Sequence, residues 1–204
     1  MTTLHNASGV HPVLGVDAGT ATLRQADHLI HDLVDRLDLP PGTIACTHLI
    51  RTAERRGTAV SLALPNAEAA EAAWRRLTGL EEPYVGVVLG ERGYGAQGAA
   101  RTAATEHEHR TGGRAVVYSG VERLTGTVTV ADVLALTAID RITVVGAPPA
   151  DGDGPDPATP VLTRDHVRPE WQDGRLTLAL VPAAGGALAP FEVPNPTPCC
   201  ADHV

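Results

Sequence analysis

The alternation of short apolar runs with amphipathic segments predicts an α/β fold: a mostly parallel sheet flanked by helices, with a C-terminal antiparallel β-hairpin. Strand and helix patterns alternate from residue 58 to residue 146, and the connections between them are short. Right-handed crossovers then place the helices on both faces of a parallel sheet. Near the C-terminus, Asp173-Gly174 separates two extended segments, a signature of a two-residue hairpin turn.

The first half of the chain contains four clear elements and one ambiguous one. In order, they are a strand at 13–16, a helix at 23–37, a strand at 58–64 and a helix that begins after Asn66 and ends at Gly79. Pro40-Pro41 stops the first helix. The segment from Thr43 to Arg56 fits either a helix capped by Thr43 or a strand from Ile44 to Ile50, and its pattern leaves both open.

The second half continues the alternation up to a proline-rich and glycine-rich stretch. Its predicted elements are strands at 84–90, 115–118 and 142–145, helices ending near 110 and spanning 129–138, and two further strands at 175–181 and 188–193. We therefore divide the chain into an α/β domain (1–150), a linker (151–160), a β-hairpin extension (161–193) and a Pro/Cys-rich tail (194–204).

Composition excludes several function classes. The formal net charge is −8, and the 16 basic residues form no cluster, which argues against nucleic acid as a partner. All 16 are Arg, so chemistry that needs a lysine amine is excluded. The sequence contains neither a signal-peptide pattern nor a long unbroken apolar run, and three Cys are too few for a disulfide framework. We expect a cytoplasmic protein with no membrane partner.

The segment after the predicted strand 84–90 suggests an anion site. Gly90, Arg92, Gly93, Gly95 and Gly98 lie in a turn that is predicted to lead directly into a helix. Glycines in such a turn let backbone N–H groups approach a phosphate, and the N-terminus of the helix adds positive partial charge. The segment therefore predicts binding of a phosphorylated small molecule or a nucleotide, with Arg92 pairing with the anion.

The same turn resembles the glycine fingerprint of dinucleotide-binding proteins. Gly93, Gly95 and Gly98 match G-x-G-x-x-G, and a second register starts at Gly90. The resemblance implies a second contact at the end of the next strand, where this chain has Ser119, followed by Arg123. Because Ser and Arg suit a 2′-phosphate better than a free ribose hydroxyl, the cofactor that the resemblance implies is NADP.

A second local match lies nearer the N-terminus. The segment from Gly15 to Thr20, Gly-Val-Asp-Ala-Gly-Thr, resembles the first phosphate loop of actin-like ATPases and sugar kinases. That resemblance implies a β-hairpin after the loop, whereas this chain continues into an amphipathic helix. The alternative interpretation is a loop that starts a helix.

Thiols and histidines give the chain a second kind of candidate site. Cys199, Cys200 and His203 gather in the tail, and Cys46 with His48 would complete a set of zinc ligands. On a strand, Cys46 and His48 share one face, whereas on a helix they diverge, so this hypothesis depends on the ambiguous segment. Adjacent cysteines seldom bind one zinc ion together, and the alternative is a tail that contacts a partner.

Three functions follow from these patterns. The first is binding of a phosphorylated small molecule or nucleotide at the glycine turn. The second is a transition-metal or thiol-redox role for the cysteine tail. The third is a non-catalytic assembly or interaction protein, since exposed strand edges invite pairing. The sequence assigns no catalytic residues and does not decide whether the protein is an enzyme. It is also compatible with a homo-oligomer.

Overall fold

The computed structural model describes residues 11–52, 55–79, 84–146 and 154–193. The chain forms two compact units, Met1–Glu108 and His109–Val204, which we call unit 1 and unit 2. The tail with Cys199, Cys200 and His203, and residues 151–153 of the predicted linker, lie outside the described residues. The predicted division at residues 150 and 160 stays a prediction.

Unit 1 is an antiparallel sheet with three helices. Its elements are β1 (Val13–Asp17), α1 (Leu23–Leu37), β2 (Ile44–Arg51), β3 (Arg56–Ala63), α2 (Ala67–Thr78), β4 (Gly86–Leu89), β5 (Arg92–Gly95) and α3 (Gly98–Glu108). The strand order is β5-β4-β1-β3-β2, and each neighbouring pair is antiparallel. The first six elements follow the β-α-β-β-α-β order of ferredoxin-like units.

Side-chain caps precede two helices of unit 1, of which the Asn66 cap was predicted, whereas the segment after the predicted Thr43 cap is strand β2. Thr22 caps α1 by accepting from the Gln25 N–H, and the Gln25 side chain accepts from the Thr22 N–H in return. Asn66 caps α2 through the N–H of Ala69. Helix α1 buries Ala26, Ile30, Leu33 and Leu37, which recur at helical spacing. Short-range signals therefore fix these helix starts.

Helix α3 packs on the sheet at very short range because the residues between them are small. A Cβ on Gly15 would stand 2.0 Å from the carbonyl oxygen of Ala100 in α3, and one on Gly86 would stand 2.0 Å from that of Ala96, in the segment that leads into α3. Val13, Ala63, Val88, Ala100 and Ala104 form one buried cluster at this contact. The role of Gly15 is therefore close helix packing, which leaves no space for a phosphate beside it.

Unit 2 is a mixed sheet with one α-helix. Its elements are β6 (Arg114–Val117), β7 (Thr127–Thr129), α4 (Val130–Leu136), β8 (Arg141–Val144), β9 (Pro160–Leu162), β10 (Glu170–Gln172), β11 (Arg175–Pro182) and β12 (Leu188–Pro190). The strands follow the order β6-β10-β11-β12-β9-β7, and β8 also pairs with β11. Asp173 and Gly174 form the two-residue turn between β10 and β11, as their sequence indicates, with φ of 51° and 78°.

The predicted mostly parallel sheet flanked by helices is wrong. Among the strand pairs described within each unit, only β8 with β11 and β9 with β12 are parallel, and the others are antiparallel. The ambiguous segment became β2, which forms a hairpin with β3, and β5 was not predicted at all. Each additional strand reverses the direction of the polypeptide. Strands that were expected to be joined by crossovers and to run in parallel therefore pair antiparallel.

None of the helices in the described part of the chain combines the length and the hydrophobicity that a membrane span requires. The longest, α1, has 15 residues and a polar face. A span needs about 20 predominantly apolar residues.

Candidate functional site

The glycine segment is a β-hairpin, and the predicted strand–turn–helix geometry is wrong. Gly90 and Glu91 form a two-residue turn, and β5 folds back antiparallel on β4 with Leu89 opposite Arg92. Gly90 has φ of 56°, which suits the first turn position of a type II′ hairpin. The sequence did contain a hairpin signal, Gly-Glu between two extended runs. The glycines that follow it favoured the phosphate-loop interpretation instead.

The residues predicted to hold the anion make other contacts. Arg92 donates to Glu71 Oε2 at 2.6 Å and to Oε1 at 3.2 Å, and its guanidinium lies 4.8 Å from the Trp74 ring centre. The hydrogen bond from Arg92 lowers the pKa of Glu71, and the same bond raises the pKa of Arg92. The Gln97 side chain covers Gly93, where a Cβ would stand 1.9 Å from it. Phosphorylated-ligand binding stays a prediction.

The remaining predicted nucleotide contacts lie in a different part of the chain. Gly90, Gly95 and Gly98 belong to unit 1, whereas Ser119 and Arg123 belong to unit 2. Ser119 is exposed at the end of β6. Arg123 ends a short 3-10 helix, and its Nε lies 3.8 Å from Glu122 Oε1 at the surface. Binding of NADP by these residues stays a prediction.

Cys46 and His48 lie on a strand and share one face, as one of the two interpretations predicted. Cys46 is buried and makes no disulfide. Cys199, Cys200 and His203 fall outside the described residues, so a zinc site that includes them stays a prediction. Within the ranges that the structure does describe, His, Cys, Asp and Glu residues form no group of three or more that could hold a metal ion.

His48 belongs instead to a chain of four hydrogen-bonded side chains that the sequence pattern did not predict. His48 Nδ1 lies 2.7 Å from Glu106 Oε2, and His48 Nε2 lies 2.8 Å from Ser61 Oγ. Ser61 Oγ lies 2.7 Å from His107 Nδ1. The four side chains follow one another in the order Glu106, His48, Ser61 and His107, and we call this hydrogen-bonded series the Glu106–His107 chain.

Strand register and one helical turn bring the chain together. Ser61 lies opposite Cys46 in the β2–β3 ladder, two residue pairs away from His48 and therefore on the same face, which α3 covers. Glu106 and His107 lie next to each other in the last turn of α3. The sequence contained one sign of this buried network, a single serine within the apolar run Ala59–Leu64. A buried hydroxyl needs a hydrogen-bond partner, so its position pointed to other polar side chains nearby.

The proton positions in the chain follow from the carboxylate at its end. A carboxylate only accepts, so His48 donates to Glu106 from Nδ1, and in the neutral ring Nε2 accepts from the Ser61 hydroxyl. The Ser61 oxygen then accepts from the Nδ1–H of His107. With both rings neutral, this arrangement satisfies the three hydrogen bonds that join the four side chains.

Comparison with family models, with curated proteins and with solved structures found no match to this protein.

Carboxylate, imidazole and hydroxyl occur here in the order that activates a serine nucleophile in hydrolases. Burial opposes that use. Ser61 is 0% exposed and His48 is 2% exposed, whereas the Glu106 side chain is 38% exposed. A substrate therefore does not reach the Ser61 oxygen while α3 covers it, although the chain meets solvent at its Glu106 end.

Unit 2 contains a second buried polar cluster. The Arg114 side chain is 7% exposed and donates from Nε to Glu192 Oε2 at 2.6 Å, and His166 Nε2 lies 3.0 Å from Glu192 Oε1. Burial by itself raises the pKa of Glu192, but the hydrogen bonds from Arg114 and His166 outweigh it and lower the pKa. The cluster links β6 to the segment that follows β12, which is a structural role.

Proposed function

We propose that this protein is a non-catalytic interaction protein that binds an extended segment of a partner along the outer edge of β5. The observation that supports the proposal is the position of β5. It is the last strand of the unit 1 sheet, it pairs with β4 on one side, and all four of its residues are exposed. An edge strand of this kind is a template for a further strand.

The backbone groups that face outward from β5 belong to a glycine. Leu89 and Arg92 flank the two-residue turn as a hydrogen-bonded pair, so Val87 and Tyr94 form the next such pair. Gly93 then directs its N–H and C=O away from β4, and the strand ends at Gly95, whose φ of 66° leaves the extended conformation. Because neither residue has a side chain, a partner strand can approach the backbone closely.

Contacts on both faces hold β5 in place. On one face, Arg92 forms its double hydrogen bond with Glu71 of α2 and stacks on Trp74. On the other face, Gln97 lies over Gly93 and is held by Arg101, which donates to Gln97 Oε1 at 2.9 Å. A strand that is already ordered loses little conformational entropy when it binds, which favours affinity.

Apolar side chains beside this edge supply further contact area. Tyr94 is 40% exposed and Val85 is 47% exposed, and both lie at the β4–β5 hairpin. Tyr is common in binding surfaces because its ring offers a large contact area with few rotatable bonds. The occupant we propose is therefore an extended peptide segment that pairs through its main chain and contacts Tyr94.

A peptide library displayed on phage tests the proposal. Peptides selected on the wild-type protein should bind with protection of the Gly93 amide from hydrogen exchange, since that amide would donate to the added strand. The decisive variant is Gly93→Pro in a Gln97→Ala background, because Pro removes the outward N–H and Gln97→Ala makes room for the ring. Binding should be lost in this variant.

The matched control is Gln97→Ala alone, which keeps the outward Gly93 N–H and should retain binding, with affinity reduced only as far as β5 loses order. Peptides that bind equally to both variants would contradict the proposal, and so would a selection that yields none. Protection of the Gly93 amide in the protein alone, rising with protein concentration, would identify the added strand as β5 of a second copy.

A further inference from the structure

The side chains next to Gly93 on the α3 side of the unit 1 sheet offer hydrogen-bond donors rather than acceptors. Arg101 donates from Nη2 to Gln97 Oε1 at 2.9 Å and from Nη1 to the Gly90 carbonyl oxygen at 3.1 Å. A guanidinium has no acceptor, so the Gln97 amide must turn its oxygen toward Arg101. The NH₂ group of Gln97 binds no acceptor among the described residues.

Arg101 also keeps donors and charge of its own. A guanidinium has five N–H groups, and the two bonds to Gln97 and Gly90 leave the others available. Both of those acceptors are neutral, and within the described part of the chain no carboxylate forms an ion pair with Arg101. Glu91, the carboxylate of the hairpin turn, is exposed and does not reach it. The charge of Arg101 is therefore available to a partner.

The opposite side of β5 has a different character. There, Arg92 donates from Nη1 and Nη2 to the Glu71 carboxylate and stacks on Trp74, so its charge already has a counter-ion. Tyr94 lies on the same side as Arg92, because side chains two residues apart on a strand share a face. This side therefore offers an aromatic ring beside a neutral ion pair.

A strand added to β5 would present its side chains to these two sides in turn. Residues directly opposite each other in neighbouring strands point to the same face, so the partner residue in register with Gly93 lies on the α3 side. Gln97 Oε1 is 2.0 Å from the position of a Cβ on Gly93 and 2.9 Å from Arg101 Nη2. The partner Cβ would lie about 5 Å from that Gly93 position, which brings a long side chain to Arg101.

We propose that the peptide bound at the edge of β5 is acidic, with an Asp or Glu in register with Gly93 that pairs with Arg101, and an apolar residue in register with Tyr94. This inference rests on the proposed function, because only a paired strand brings a side chain into register with Gly93. A carboxylate fits because it only accepts, whereas a lysine there would face the Gln97 NH₂ group and be repelled by Arg101.

Peptides selected on the wild-type protein test the inference. NMR contacts between the peptide backbone and the β5 backbone assign the register, and fluorescence anisotropy then compares each peptide with its version in which Gln replaces the acid. The change to Gln should weaken binding to the wild type about tenfold, as expected for loss of a charge-assisted hydrogen bond. This comparison needs no protein variant.

A double-mutant cycle assigns the contact to Arg101. With Arg101→Met, the acidic peptide and its Gln version should bind with nearly equal affinity. Because Arg101 also holds Gln97, part of the effect of the variant falls on both peptides, and the difference between the two peptides isolates the carboxylate contact. Arg24→Met removes one positive charge from an exposed position on α1 and should keep the full preference for the acid.

The outcomes separate this inference from the proposed function. Peptides that protect the Gly93 amide but bind equally well with the acid and with Gln would overturn the acidic contact and leave strand pairing intact. A preference for the acid that survives Arg101→Met would also overturn it. A selection that yields no peptide able to protect the Gly93 amide would overturn both.

Discussion

Gly15 lies directly beneath the carbonyl oxygen of Ala100, and a Cβ added to Gly15 would stand 2.0 Å from that oxygen. This contact sets how closely α3 approaches the sheet. It also explains why a segment that resembles a phosphate loop ends up as a packing surface, since the glycine is used to admit a helix.

Gly15→Ala should therefore destabilise unit 1. The added methyl group meets backbone atoms, which cannot rotate away, so α3 must shift; overpacking of this kind costs about 1–3 kcal/mol in the free energy of unfolding. Urea unfolding monitored by circular dichroism measures the change. Gly98→Ala is the control, since a Cβ there has no atom within 4 Å, and it should be close to neutral. Equal stability of the two variants would contradict the predicted contact.

Ser61→Ala should destabilise unit 1 at neutral pH because His48 Nε2 and His107 Nδ1 both lose the partner between them. Leaving buried polar groups unsatisfied costs about 1–3 kcal/mol. Chemical unfolding gives the value, and Ser119→Ala provides the comparison because Ser119 is exposed and its side chain is described in no hydrogen bond. A Ser61→Ala protein as stable as Ser119→Ala would mean that the hydrogen bonds of the Glu106–His107 chain contribute nothing to the free energy of unfolding.

Glu192→Gln should destabilise unit 2 at neutral pH, and the difference from the wild type should shrink in acid. The folded-state pKa of Glu192 is lowered below 4.5, so its stabilising contribution is present above the unfolded value and is lost as pH falls through the folded value. Unfolding curves between about pH 7 and pH 3 test this. Glu170→Gln, an exposed carboxylate on β10, serves for comparison, and a pH-independent difference for Glu192→Gln would refute the prediction.

Thr129→Ala should raise the pKa of Asp132 toward 3.8 and weaken α4. In the wild type, the Thr129 hydroxyl donates to Asp132 Oδ2 at 2.7 Å and the Thr129 N–H donates at 3.1 Å, which lowers the pKa of that carboxyl. Loss of the cap costs about 1 kcal/mol. A carboxyl ¹³C titration reports the pKa, and Thr127→Ala, exposed on β7, should leave it unchanged.

Local signals in the sequence were sufficient for most helices. The period of α1 and the caps at Thr22, Asn66 and Thr129 depend on residues three or four positions apart, and the structure has a helix at each of these places. The hairpin at Gly90 was also encoded locally. It was missed because the same glycines fit two templates, and a four-residue strand such as β5 gives too few residues for its period to decide between them.

The sequence by itself determined where α1, α2 and α4 begin, which faces of α1 and α2 are buried, and where the turn at Asp173-Gly174 lies. Only the tertiary structure decided the direction of strand pairing, the use of Gly15 as a contact surface and the meeting of His48 with Ser61, Glu106 and His107. The reason is range. Caps and periods act within one turn of helix, whereas the bonds of the chain join residues 13, 46 and 58 positions apart, and no local pattern specifies which distant segments will pair.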